Sequence, residues 1–404
     1  QVRLDTLPAG LFFDPDQNGA PPFNPRATTS LFGDGVLQLL AQEMTEKLLA
    51  ARDAAAKQAK AKPGVAARQE LKANGVSFGA IAATANANGE VTYDVSQVRG
   101  VSPDLVVRPM GWKGNVTTVR NLTVAASNFG MGMMPEEFVW RLPEAAGKDP
   151  DADGVEREFS VGDITAITIY TAGQEAPKEL AGLSEAGLVA PPDAAGRARV
   201  ERGRKLFGRI GCASCHVPEM RLANTVFEEP TSRGGGQYLD AFLASKDPDY
   251  DPKRPARLDL LKDSDAPRIE AHADGGAVVR LYGDLKRHDM GRQLADPGGP
   301  QPPLTASLAP LQHNGQLALM SASEFLTAEL WGVGNTQPYL HDDRAGSLAE
   351  AIAWHGEDAP PTSGQPGRSE AQEARDAYSK LTPEEQRDVL AFLKSLVTFS
   401  SEER

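Results

Sequence analysis

The chain has 404 residues, 40% of them hydrophobic, with 42 Lys and Arg against 55 Asp and Glu and a net charge of −13. At roughly 150 residues per domain this is two or three domains with a real core, which excludes wholesale disorder. The acidic balance lacks a basic block to follow a phosphate backbone, which argues against nucleic acid as a partner; no run reaches the roughly 18 apolar residues that span a bilayer, and two cysteines cannot staple a scaffold.

Residues 1–30 are rich in Pro, Gly and Asn and read as loop. Asp14, Asp16, Asn18 and Gly19 carry a weak calcium-loop spacing there. A helix is expected from about Gly35 to Lys60, its stripe of Leu39, Leu40, Met44, Leu48 and Leu49 being ordinary core packing. Asn88-Gly89 ahead of Val91-Thr92-Tyr93 marks a hairpin within 76–107. Helical patterns return at 115–127 and 161–172. Between them, Asp149, Asp151, Asp153 and Gly154 match the early positions of a calcium loop. Position 12 is Ser160 rather than the usual Glu, so Glu158 or Asp163 would have to substitute; a solvated acidic turn is the competing reading. Residues 173–192 are linker-like, and the domain boundary is placed there.

A helix from Ala194 to Ile210, stopped by Gly211, leads into Cys212-Ala213-Ser214-Cys215-His216. The Cys-x-x-Cys-His spacing lets two thiols add to the two vinyl groups of one haem, with the adjacent imidazole under the iron as proximal ligand. A redox Cys-x-x-Cys would not explain His216 and normally follows a strand; a zinc site would need further strong ligands nearby. One covalent haem c is therefore expected. Its attachment takes place outside the cytoplasm, so a periplasmic or surface location follows. No signal peptide is visible at Gln1, which reads as a mature or trimmed chain.

The stretch 220–320 is charged and turn-rich, with one short strand at Ala277–Tyr282. It holds His288 and Met290 in Lys286-Arg287-His288-Asp289-Met290-Gly291, an alternative source of the second axial ligand. His272 and His313 read as loop residues. His341, in a polar turn, suits a haem propionate, with Arg344 as counter-charge. Ser347 and Glu350 make a capping-box pattern that opens a helix ending at His355-Gly356, and Leu348, Ile352 and His355 share one face. His355 is the first choice as distal ligand, against a core histidine bonded to a carbonyl. Thr382-Pro383 opens a closing helix that should pack across the haem-binding helix.

Four stretches give the chain a family likeness: 108–114 (Arg108 to Gly114, with Trp112), 211–218 around the haem motif, 283–291 (Gly283 to Gly291), and 330–341 (Leu330 to His341). In their order and spacing the chain resembles the bacterial di-haem oxidoreductases related to di-haem cytochrome c peroxidase and the methylamine-utilisation di-haem enzyme, over roughly residues 28–400. The resemblance implies cytochrome c-like domains, a distal ligand about fourteen residues after the His-Asp turn (His355), an electron-relaying aromatic at Trp112, and bound calcium. The fold expectation is mainly α, with long ordered loops and a few short strands: a peroxidase-like domain at 1–190 and a haem-binding domain at 191–404.

The sequence departs from that pattern in one respect. The peroxidatic haem needs its own Cys-x-x-Cys-His upstream of Trp112, and residues 1–111 contain neither Cys nor His. The turn Ser127-Asn128-Phe129-Gly130-Met131 also lacks an acidic residue expected in a distal peroxidase pocket. Three readings stand: a single-electron carrier with a bis-His haem and a redox partner protein; a peroxidase-like oxidoreductase whose catalytic haem lies in a missing segment or a second haem-bearing subunit; and a structural subunit.

Overall fold

In the computed structural model the described residues are 26–142, 147, 149–150, 153–185, 187, 189–231, 233–234, 243, 246, 254–263, 269–305, 310–358 and 368–398. In chain order the elements are α1 (Asp34–Ala61), β1 (Ala67–Ala73), β2 (Val76–Ala85), β3 (Val91–Asp94), α2 (Val119–Met131), α3 (Glu136–Val139), α4 (Val161–Ala172), α5 (Leu180–Glu185) and α6 (Ala194–Arg209). There follow β4 (Met220–Leu222), β5 (Val226–Glu229), β6 (Ala256–Asp259), β7 (Glu270–Ala271), β8 (Ala277–Val279), β9 (Arg287–Asp289), β10 (Gln312–His313), β11 (Gln316–Leu317) and β12 (Glu324–Leu326). The chain closes with α7 (Leu348–Trp354), α8 (Gln372–Ser379) and α9 (Pro383–Lys394).

The mainly α expectation is corrected. Among the described residues the strands form five small sheets beside the helices: β1-β2-β3, β4-β8-β7, β5-β6, β9-β12 and β10-β11, all with antiparallel pairing. The reason is length. Strands of two to four residues are too short to show a period of two, so pairing in 220–326 is decided by partners distant in sequence. β1 escaped for another reason: Ala67–Ala73 is composed of good helix formers, yet it pairs with β2, and tertiary contacts override that propensity.

The N-terminal half of α1 is enclosed, with Val36, Leu37, Leu39, Leu40, Met44 and Leu48 each at most 3% exposed. Each such side chain stabilises the fold by about 1.5–3 kcal/mol. The C-terminal half lies on the first sheet through small residues, Ala55 and Ala59 meeting Ala83 and Ala85. This larger core takes side chains from both sides of residue 190, including Met220, Leu222, Phe227 and Trp331. The stretch expected to be linker contains α5, tied down where Leu180 N–H donates to Ser395 O and Glu179 pairs with Arg204.

A second apolar cluster joins Leu206, Phe207 and Ile210 of α6 to Val389, Phe392 and Leu393 of α9, with Tyr282, Leu348 and Tyr378. The two helices cross at Gly203, where a Cβ would stand 1.9 Å from Asp388 O. Glycine is required there by backbone proximity, not by a turn. α9 opens with the Thr382–Glu385 capping box and Pro383 in its first turn, as its sequence indicates. No helix among the described residues is long and apolar enough to cross a membrane.

Candidate functional site: a cavity with two facing imidazoles

α6 is capped by Asp193 and ends at Ile210; Gly211, at φ 94°, reverses the chain into a single 3-10 turn, Cys212–Ser214. His216 N–H donates to Cys212 O (3.0 Å), folding the motif so that Cys212, Cys215 and His216 line one wall of a cavity of about 900 Å³. Both thiols are free, and burial pushes the Cys212 thiol up to about 11.

The opposite wall is α7. Ser347 Oγ accepts from Glu350 N–H, while the Glu350 carboxylate reaches Gly346 N–H rather than closing the reciprocal bond on Ser347. The helix ends at Trp354 with His355 as its C-cap. The His216 and His355 ring centres are 6.4 Å apart, with the ring planes inclined at 49°. A metal bound between two imidazoles, at about 2 Å per metal–nitrogen bond, holds their centres about 6.3 Å apart.

The outer nitrogens are fixed in the same way on both sides. His216 Nδ1 is 2.9 Å from Tyr282 O, and His355 Nδ1 is 2.8 Å from Ala351 O. An Nδ1–H donated to a carbonyl sets the tautomer and leaves the Nε2 lone pair for a ligand bond. Burial lowers the basicity of both imidazoles, His216 to about 4 with the nearby His355 contributing, so both are neutral at pH 7. Neutral imidazoles, one nitrogen anchored and the other without a hydrogen-bond partner among the described residues, are metal donors. Two thiols on the same wall complete the donor set that a covalently attached haem requires.

The carbonyl that holds His216 belongs to a residue the sequence did not single out. Tyr282 sits at φ 50°, the left-handed region that a bulky residue rarely adopts. Its hydroxyl donates to Glu179 (2.8 Å) and meets Arg204, and its ring lies edge-on to Phe392 (5.5 Å). Burial and the Glu179 carboxylate raise the phenol well above its usual range, so it stays protonated and keeps donating. No motif marks Tyr282. Its role depends on α5, α6 and α9 meeting at one point.

His288 is placed beside Cys215, its Nδ1 3.9 Å from Cys215 Sγ, but both ring nitrogens are engaged: Nδ1 with Glu370 (2.7 Å) and Nε2 with Asp284 (2.8 Å). Burial opposes its charge, but the bonds to Asp284, Cys215 and Glu370 outweigh that and lift it to about 11. So placed, Nδ1 could bind a metal only where Glu370 moves off it. Met290 lines the same cavity. His341 lines it farther along, stacked on Phe325 (4.4 Å), with Nε2 3.5 Å from Asp296. Arg344, expected beside it as a propionate partner, instead pairs with Asp342 and donates to Gln293 O (2.5 Å). Trp112 lines the cavity with its indole N–H on Ala27 O (2.8 Å).

Of the cavity's carboxyls that the sequence reading passed over, two are deeply buried. Asp34 is 3% exposed with Oδ2 lacking a hydrogen-bond partner, and Glu329 lines the wall near it. Burial, then the Glu329 charge, pushes Asp34 up to about 8, and burial pushes Glu329 up to about 7.

Among its described residues the acidic loop brings no three ligand atoms within 4.8 Å of one another. Asp149 accepts from Gly154 N–H, Asp153 from Val155 N–H, and the Glu158 carboxylate turns to Met134 N–H. Ser160 and Asp163 form the capping box of α4 instead. Asp151, and the earlier Asp14, Asp16, Asn18 and Gly19, lie outside the described residues. Among the described residues, the one group of three His, Cys, Asp or Glu side chains with ligand atoms within 4.8 Å of one another is Cys215, Asp284 and His288.

No family model matches the chain, and no curated protein matches it. Among solved structures it is similar to one described as "Crystal structure of a MauG-like protein associated with microbial copper homeostasis", at 15% identity over 93% of each chain, with a TM-score of 0.33. So loose an overlap carries no argument below, which rests on the residues of the cavity.

Proposed function

We propose that the chain is an extracytoplasmic haem c protein in which Cys212 and Cys215 anchor one haem and His216 and His355 take its two axial positions, and that it passes single electrons to and from a redox partner protein. The observation that carries this reading is the 6.4 Å gap between two imidazoles whose outer nitrogens are both tied to carbonyls. Bound there, the haem supplies a one-electron Fe(III)/Fe(II) couple.

The chain's own contribution is positional. Tyr282 and Ala351 hold the two rings; the Glu179–Arg204–Tyr282 contacts hold Tyr282. Phe207, 6.2 Å from His216, closes the apolar side and excludes water. With both axial positions filled by fixed rings, little reorganises when an electron arrives, which suits transfer and slows small-ligand chemistry.

A peroxidase-like reading has one observation in its favour: the cavity runs on past the imidazole pair to Trp112, Phe325 and His341. Under that reading a second haem, from another segment or subunit, would make the catalytic site, with Trp112 between them. Calcium at the Asp149 loop would accompany it.

The test is the visible spectrum of the oxidised and reduced protein, with haem measured per chain. One low-spin haem inert to carbon monoxide, becoming five-coordinate and carbon-monoxide-reactive in His355→Ala, is the expected result. A low-spin spectrum unchanged in that variant overturns the ligand assignment. A ratio near two, or a high-spin haem that reacts with peroxide, replaces the carrier by the enzyme.

A further inference from the structure

The corner of the cavity around His288 is chemically richer than haem attachment needs. Three elements meet there: the haem-motif turn brings Cys215, the 284–289 segment leading into β9 brings Asp284 and His288, and the residues before α8 bring Glu370. One imidazole offers an ion one nitrogen. Cys215 Sγ (3.9 Å) and Glu370 Oε2 (2.7 Å) both lie on the Nδ1 side, while Asp284 Oδ2 (2.8 Å) holds Nε2. That is the ordering of a metal centre, with a thiolate, an imidazole and a carboxylate on one side and a second carboxylate orienting the imidazole from behind.

We propose that, before haem is attached, Cys215, His288 and Glu370 form a binding site for a borderline divalent cation of the Zn²⁺ type, with Asp284 as the positioning residue for His288. The donors are gathered around Nδ1 but not yet around one point: Cys215 and Glu370 offer no ligand atoms within 4.8 Å of each other, so the ion must draw them together. Around a tetrahedral ion bound at about 2.0–2.3 Å, neighbouring donor atoms stand about 3.3–3.7 Å apart. Relative to Nδ1, Cys215 Sγ has a few tenths of an ångström to close and Glu370 must open by somewhat more, while the two must approach each other by about 1 Å or more. The Glu370 side chain is 51% exposed, and besides His288 it is held by Asp289 N–H on Oε1 (3.1 Å), a bond it can keep or exchange for water as it moves. A water would complete the four-coordinate shell. Binding releases the Cys215 S–H proton and the His288 Nδ1 proton to solvent, with no change of oxidation state.

The consequence for this chain is exclusivity. In haem attachment the Cys215 sulfur forms a bond to a vinyl carbon and the thiol hydrogen passes to the neighbouring carbon, leaving a thioether in place of the thiolate. The ion and the covalent haem therefore compete for one sulfur, and an occupied corner protects the thiol until haem arrives. This last step rests on the haem reading above, whereas the ion site itself does not.

The test uses the reduced, haem-free full chain with Zn²⁺ by calorimetry and Co²⁺ as the spectroscopic probe, circular dichroism reporting the fold of each variant. Expected are one ion per chain and a near-ultraviolet thiolate–cobalt band that survives in Cys212→Ser and is lost in Cys215→Ser. Glu370→Gln, at a half-exposed position that leaves the fold intact, weakens Zn²⁺ binding. Asp284→Asn weakens it about 10–100-fold with the thiolate band retained, as a residue behind the imidazole should. Loss of the band in Cys212→Ser as well would move the ion to the Cys-x-x-Cys pair and overturn the proposal; so would absence of binding to the wild-type chain. The haem-loaded chain should show no thiolate–cobalt band, and a band there would overturn the exclusivity alone. A chain that never takes haem but binds Co²⁺ through Cys215 refutes the haem reading and leaves the ion site standing.

Discussion

Two buried polar constellations in this molecule have opposite character. Around Arg120, which has no exposed surface, the guanidinium bonds to both Glu137 oxygens, to Glu229 (2.7 Å) and to Thr165 (2.9 Å). Every nitrogen is used within the chain, joining α2, α3, α4 and β5, and nothing is offered to a ligand. Around His216 and His355 each ring has one nitrogen fixed by a carbonyl and the other turned to a cavity without a partner. Both are buried and both are held by hydrogen bonds. What separates structure from site is whether the hydrogen-bonding capacity is exhausted.

The comparison is tested most severely by Arg120→Ala. It strands two buried carboxylates, so unfolding in urea should show a loss of about 3–5 kcal/mol, while under the proposed function the folded fraction should keep the spectrum of any haem it binds. A changed spectrum would mean the two constellations are coupled. Gly203→Ala should cost about 1–3 kcal/mol, because its Cβ is driven into Asp388 O. Since α6 and α9 carry the apolar cluster beside His216, under the proposed function this variant should also broaden the low-spin bands, which Arg120→Ala should not.

A pH-dependent effect belongs to Asp34. Its folded pKa is raised from 3.8 to about 8, so the folded state holds the proton more tightly than the unfolded one. Stability from this group is complete below about pH 4 and declines as pH rises towards 8. Asp34→Asn should therefore gain on the wild type between pH 5 and 8 in thermal unfolding, and a constant difference across that range would contradict it. Smallest is Ser347→Ala, which removes the α7 cap and should cost about 1 kcal/mol. Because α7 ends at His355, under the proposed function the loss should appear as easier displacement of His355 by imidazole in solution.

Much of this was legible without coordinates. The haem motif, the stop at Gly211, the caps at Ser347 and Thr382 and the placement of His355 on a buried helix face are local patterns, and α1, α4, α6 and α9 begin and end close to where their signals put them. The mainly α reading failed because it rested on those helices, while strands of two to four residues leave no periodic trace. Arg344, read from the sequence as a propionate partner, is paired with Asp342 two residues away, a neighbour the sequence reading did not weigh.

The sequence by itself determined which side chains could anchor a haem, because thiol and imidazole chemistry is carried by residue type and by a fixed five-residue spacing. Only the tertiary structure decided that His216 and His355 face each other across 6.4 Å and that Tyr282 aims its carbonyl at one of them. Only it turned both nitrogens of His288 to carboxylates and left Asp34 and Glu329 on the cavity wall. These are relations between segments tens to hundreds of residues apart. They are set by how helices and loops pack, and no local spacing encodes them.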